Sequence, residues 1–396
     1  MPSCIQLIIW ALFFAIPTFA TPGSTQEASE VSFRAIVHQY LDKKRDDPFS
    51  KIKEEIEKGL FSDDYGNPLD YIESILGRLK ISKHSQQLVF STTSLQLSRI
   101  SPRNPRAIYF NDDLYFGYVP GGQIEVIGID PEIGAIPYIF SLPISNDPKW
   151  RPKVIRSRRC MNCHANSDIG GIPGLLLSSV VPGPGGGSLD AFRQKQSGHA
   201  VPFDQRFGGW HLTGEYVFPA SWANSTGVMK KSEITKIPNL PGSFFEWKRY
   251  LVPSSDVIAS LLLEHQVGFV NRCIGASYRI REALDQDTLT PAERNALMNR
   301  EADTIVEYTL FAKEVSLPKP ISTLNSFFAM EFEDREGKGA PLRRLSLKTR
   351  LMQRRCSYMI HSHSFQGLRP ELKAMIFSKI KNLMTTPKSG LSEQYS

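Results

Sequence analysis

The chain has 396 residues, of which 41% are hydrophobic, 22% charged and 10% aromatic, enough apolar material to bury a core and to exclude disorder as the dominant state. Lys and Arg number 47 against 40 Asp and Glu, a formal charge of +7, without the dense basic blocks of a nucleic-acid binder; such a balance suits an acidic protein partner or acidic groups on a cofactor. Five cysteines exclude a disulfide-dense scaffold, and the length allows one large domain or two to three modest ones.

The N-terminus reads as an address. Residues 5–16, IQLIIWALFFAI, form an apolar run shorter than the roughly 20 residues a spanning helix needs. Small residues at Thr18 and Ala20 precede a polar stretch, the pattern of a signal peptide over 1–20 cut after Ala20. No Lys or Arg precedes the run, which departs from that pattern and leaves an uncleaved anchor as the alternative. The expectation is export to the periplasm, with no transmembrane segment in the mature chain.

Residues 21–104 are expected to form an N-terminal helical region, from the helical spacing of Phe33, Ile36, Val37 and Tyr40, of Ile52, Ile56 and Leu60, and of residues 69–79. A domain over 105–385 would follow. It opens with a β segment at 105–145, in which residues 115–119 and 124–127 flank Pro120-Gly121-Gly122 as a hairpin. Leu88 to Thr92 is also β-rich, and Asp112-Asp113 reads as a turn with solvated carboxylates.

Cys160-Met161-Asn162-Cys163-His164 is the attachment pattern of a c-type haem. Two thiols one helical turn apart each add to one vinyl group, and the histidine after the second supplies the proximal nitrogen to the iron. A zinc site would need two further ligands nearby, and no second C-x-x-C or C-x-x-H occurs. One motif predicts one covalent haem c, with Cys160, Cys163 and His164 as its site. The preceding Arg156, Arg158 and Arg159 suit haem propionates, an acidic redox partner or a solvated face. Gly170 to Gly174 turns the chain, and Leu175 to Leu177 suit a porphyrin edge.

A second axial ligand separates electron transfer from ligand chemistry. His265 lies on an apolar stripe with Ile258, Leu262 and Phe269 and is a candidate distal ligand; a core histidine is the alternative. His199, in a loop followed by Arg206, Phe207 and Trp210, is a second candidate, as ligand or as acid–base group. Met229 is a third, beside Lys230 and Lys231, which point to exposure. His361 and His363 read as surface residues. Cys273 and Cys356 remain, either paired in an oxidising compartment or buried as free thiols.

Helices are predicted at 255–285, 291–315, 341–355 and 368–385. Thr290-Pro291-Ala292-Glu293 carries a capping box with proline at the first helical position. The 341–355 segment holds six Arg and Lys residues and reads as a basic helix, more a solvated face than a docking site. Residues 386–396 read as a disordered tail.

Several segments together resemble a family of exported bacterial proteins of uncharacterised function that carry a single C-x-x-C-H motif. They are residues 109–113 with 117–122, the motif with Ile172-Pro173-Gly174, and Pro202-Phe203 with residues 206–214. Leu263-Glu264-His265-Gln266 and residues 356–360 complete the set. The resemblance covers roughly 105–385 and implies a cytochrome-c-type haem protein; Phe207 and His211 depart from that family's aromatic-rich run. The expected fold is α+β and mainly helical, with a cytochrome c-like haem-binding region. The expected function is one-electron transfer to an acidic redox partner. The alternatives are a peroxidase-like enzyme using His199 and Arg206, or a haem sensor with an open distal site, and the length beyond what an electron shuttle requires argues for them.

Overall fold

The computed structural model describes residues 30–61, 67–142, 150–192, 197–215, 217–285, 289–335 and 341–385; the expected signal peptide and C-terminal tail lie outside them. A seven-stranded antiparallel sheet organises the fold, and helix accounts for only 35%. The expectation of a mainly helical chain is therefore overturned.

The strands are β1 (Gln87–Val89), β2 (Arg106–Phe110), β3 (Leu114–Tyr118), β4 (Gln123–Asp130), β5 (Gly134–Ser141), β6 (Ile155–Arg156), β7 (Val180–Pro182), β8 (Ser188–Ala191), β9 (Trp210–His211), β10 (Ser225–Lys230) and β11 (Glu233–Pro238). The helices are α1 (Lys53–Lys58), α2 (Pro68–Arg78), α3 (Met161–His164), α4 (Val257–Asp285), α5 (Pro291–Thr309), α6 (Phe327–Asp334), α7 (His363–Gln366) and α8 (Pro370–Thr385). The large sheet runs β6-β5-β4-β3-β2-β1-β9, while β10-β11 and β7-β8 form separate hairpins. The β3-β4 hairpin falls where Pro120-Gly121-Gly122 predicted it.

The sheet is buried on both faces. Tyr109, Phe116, Val126, Tyr138 and Phe140 share one face by strand alternation and register, against Phe49, whose ring lies 4.9 Å from that of Tyr138. Asp47 anchors this layer. It is fully buried and accepts hydrogen bonds from the Tyr138 hydroxyl (2.7 Å) and from the amides of Phe49 and Ser50 (3.0 Å each). Gly128 on β4 leaves the space for it, since a Cβ there would sit 2.2 Å from the Asp47 carboxylate.

The other face packs on α4 and α6. Tyr278 of α4 donates to the Ile133 carbonyl at 2.9 Å, and Phe110 meets Phe328 of α6 at 5.8 Å. Every residue from Val257 to Val270 is buried, as expected of a helix enclosed on all sides. α5 begins with the predicted capping box of Thr290 and Glu293. Among the described residues no helix is long and apolar enough to cross a membrane.

Two predicted helical stretches take other forms. Residues 31–41 are a strap tied to distant backbone, with Val31 donating to the Gly170 carbonyl (3.0 Å) and the Tyr40 hydroxyl to that of Ala135 (2.7 Å); it holds only a 3-10 turn at Ile36–His38, and the α-helix of this region lies in α1 and α2. The basic segment 341–355 is a tight reversal, with Leu345 bridged to Met352 and Leu347 at φ 53°. Its backbone accepts from Leu317 and Ile321, and those tertiary bonds override local helix propensity. Three of its six cations are ion-paired, Arg343 with Asp112, Arg355 with Glu314 and Arg344 with Glu333.

Asp47→Ala removes the acceptor of three hydrogen bonds and strands the Tyr138 hydroxyl. We expect a loss of about 1–3 kcal/mol, read as a lower urea midpoint with unchanged slope.

Candidate functional site

α3 is a single helical turn. Cys160 precedes it in helical conformation and its carbonyl accepts from the amides of Cys163 (3.2 Å) and His164 (3.0 Å). The i, i+3 spacing puts both sulfurs on one side of the turn. Both thiols are free; Cys160 is half-buried and Cys163 exposed. Burial pushes the Cys160 thiol pKa up, opposed by the Ser157 hydroxyl.

His164 is half-buried, and its Nδ1 lies 3.1 Å from the Gly174 carbonyl. A carbonyl can only accept, so Nδ1 carries the proton and Nε2 keeps its lone pair. Burial lowers the His164 pKa, opposed by the same carbonyl. The Gly174 amide returns a bond to the His164 carbonyl at 2.9 Å.

Asn271 of α4 holds this loop. Its Oδ1 accepts from the Leu175 amide and its Nδ2 donates to the Leu175 carbonyl, both at 2.8 Å. Gly174 is required by that approach, because a Cβ there would lie 2.6 Å from Asn271 Oδ1. The sheet adds a second tie, the Ala135 amide to the Pro173 carbonyl at 2.8 Å. The half-buried Arg106–Glu125 pair (3.2 Å) of β2 and β4 supplies opposing charges that bear on His164. Asn271 had no signal in the sequence, where it is one polar residue within a long helix.

The donor set fits a c-type haem: two free thiols one turn apart and an imidazole with its coordinating nitrogen unprotonated. Among the described residues no cluster of three or more His, Cys, Asp or Glu side chains could hold a bare metal ion.

The structure places the other candidates elsewhere. His199 and His265 are buried and share an Nδ1–Nδ1 hydrogen bond of 2.9 Å. The outer nitrogen of His199 lies 3.3 Å from the Ala312 carbonyl, and that of His265 lies 2.7 Å from the Ser357 hydroxyl. The Ala312 carbonyl makes His199 Nε2 a donor, so the Ser357 hydroxyl donates to His265, which donates to His199. All four ring nitrogens are occupied. His265 lies six residues before Asn271, about 9 Å along the helix axis. Arg206 is buried and donates to the His199 and Val201 carbonyls. Met229 is on β10, 54% exposed. His361 is exposed, while His363 is half-buried beside Asp113, whose carboxylate accepts from the His363 amide at 2.7 Å. Cys273 and Cys356 are separate free thiols, which decides against their pairing.

No family model, curated protein or solved structure matches the chain.

His211 is fully buried between Phe90 (4.6 Å) and Phe245 (5.2 Å). Burial, opposed by the Asn224 side chain, holds its pKa down at about 3. Below the ordinary imidazole range the unfolded chain takes up a proton that the folded one refuses. The contribution of His211 is therefore present above about pH 6.5 and lost as pH falls toward 3. We expect His211→Phe to gain on the parent protein by up to about 1.4 kcal/mol per pH unit over that window. Urea midpoints of the two proteins at pH 7 and pH 4.5 check this, and carboxylate effects common to both cancel.

Proposed function

We propose that the chain is an exported c-type cytochrome that carries one haem through thioether bonds to Cys160 and Cys163, with His164 as proximal ligand, and that it transfers single electrons. The observation that carries the reading is the His164–Gly174 hydrogen bond. It fixes the tautomer and aims an unprotonated Nε2 away from the loop, the arrangement typical of a metal-bound imidazole. The two thiols on the adjoining turn support it. So does the apolar run at residues 5–16, since c-type haem is attached outside the cytoplasm. Haem bound there supplies an iron able to exchange one electron.

The chain's own residues tune that exchange. The Gly174 carbonyl makes the imidazole more basic by accepting a hydrogen bond from its Nδ1–H. The exposed Arg158 and Arg159 beside the motif suit an acidic redox partner, drawn by long-range attraction that salt screens.

A second reading, a haem enzyme or sensor with an open sixth position, draws support from one observation: His199 and His265 are both fully occupied with other partners. The enzyme form loses its proposed machinery on the same ground, since His199 and Arg206 are tied into the core.

Produced in a host that matures c-type cytochromes, the protein is expected to gain the mass of one haem and to keep its colour in acidified organic solvent. Cys160→Ala/Cys163→Ala is expected to lose both; a colourless parent protein sinks the reading. Carbon monoxide separates the two forms, since low-spin iron that ignores it marks the electron carrier and high-spin iron that binds it marks the open site. Asn271→Ala frees the 174–175 loop and weakens the His164 hydrogen bond. The less basic imidazole then stabilises ferric iron less, and the midpoint potential is expected to rise, measured by redox titration of the haem spectrum.

A further inference from the structure

The second face of the large sheet is closed by α4 and α6 at its Phe110 and Ile133 end and is only half-buried beyond it. Ile108, Gly117, Glu125, Ile139 and Ile155 lie opposite one another in register and form one row over β2, β3, β4, β5 and β6. Arg106 and Ile127 stand beside the row on the same face, two residues along β2 and β4. Ile108, Ile127 and Ile139 are half-buried and Ile155 is 48% exposed. The open positions of an antiparallel sheet ordinarily alternate to polar residues. Here they are isoleucines, an apolar patch that asks for an occupant, and Gly117 raises no side chain above it.

The cysteine motif borders this row. β6 runs into it directly, the Glu125 carboxylate acts electrostatically on Cys160 and His164, and Arg106 acts on His164. Arg106 lies on β2, four strands across from β6, at about 4.8 Å per strand. Its Nη1 donates to Glu125 at 3.2 Å, and its Nε is buried with no hydrogen-bond partner among the described residues, a donor that the chain itself leaves unsatisfied. A haem is a flat apolar disc with vinyl groups on one edge and propionates on the opposite one. The face offers a counterpart to each in that order: thiols at the β6 end, isoleucines and a bare glycine across the middle, and an unsatisfied arginine donor at the β2 end.

We propose that this half-open sheet face is the floor on which the macrocycle rests, with Glu125 and Arg106 as the charges that set the potential of its iron. The proposal rests on the haem reading above and adds the residues that seat the group. The test is redox titration of the haem spectrum of Glu125→Gln and Arg106→Gln, each made in a host that matures c-type cytochromes. Glu125→Gln removes a negative charge that favours ferric iron and is expected to raise the midpoint potential; Arg106→Gln is expected to lower it. Each shift is expected to be about tenfold in the oxidised-to-reduced ratio, which is about 59 mV for one electron. Opposite signs mark charges that act on the iron, whereas damage to the fold would not reverse with the sign of the charge removed. Should either variant fail to fold, Ile127→Glu, which sets a new negative charge on the floor, is expected to lower the potential by a similar factor. The proposal is overturned if the parent is coloured and either charge variant keeps its potential, or if both shift it in the same direction; the face then belongs to a protein partner or a second copy. A colourless parent sinks the haem reading, and this proposal with it.

Discussion

The short path from α4 to His164 is the constraint on which the site depends. Asn271 grips the backbone of Leu175 from both sides, the adjoining Gly174 carbonyl fixes the His164 ring, and the imidazole is left with one possible tautomer. A histidine on a four-residue helix has little intrinsic order, because so short a helix cannot sustain itself. Its orientation is borrowed from a 29-residue helix whose first half is enclosed by the core. The sheet contributes through the Pro173 carbonyl, which pairs with Ala135. Fold and site are thus coupled at three consecutive residues, 173 to 175, where any side chain at Gly174 would collide with the asparagine.

The buried His199–His265 pair explains part of what the large chain is for. It joins three distant segments: the loop at 198–206, α4, and the turn at Ser357. Tyr308 of α5 closes the cluster, its hydroxyl donating to the His265 carbonyl at 3.1 Å in a gap left by Gly198 and Gly268. Arg272 covers that ring at 3.9 Å. Burial drives the pKa of His265 down to about 3 and that of His199 well below the ordinary imidazole range. Both rings are therefore neutral at physiological pH, which leaves His199 Nδ1 a lone pair to accept from His265. The pair braces the same helix that holds the motif loop.

What was legible in the sequence follows from where the determining interactions lie. The cysteine motif, the β3-β4 hairpin, the α5 capping box and the length of α4 are set by residues within a few positions of one another, and each was readable. The sheet was underestimated because β6 and β9 are two residues long and exist only through partners far away in sequence. The 341–355 segment has helical composition but spends its backbone on residues 317–321. The apolar stripe of His265 left a distal ligand and a core histidine both open; the stripe faces the core, and the core histidine is what the structure shows. Asn271 was invisible because a helix-interior asparagine acquires meaning only from the loop packed against it.

The apparent excess of chain over the needs of a one-haem carrier weakens as an argument for catalysis once these roles are followed. A small cytochrome can enclose its cofactor with helices drawn from its immediate neighbourhood. Here the motif sits on one turn at the margin of an antiparallel sheet, and the elements that orient it come from residues 31–41, 133–137 and 257–285. Each must be held by its own layer: Asp47 and the N-terminal helices on one face, α5 and α8 behind α4 on the other. Much of the mass is therefore scaffold for a site that its own segment cannot support. Were a haem held at the motif, as proposed, neither of the two buried histidines could ligate its iron without dismantling the cluster that braces α4.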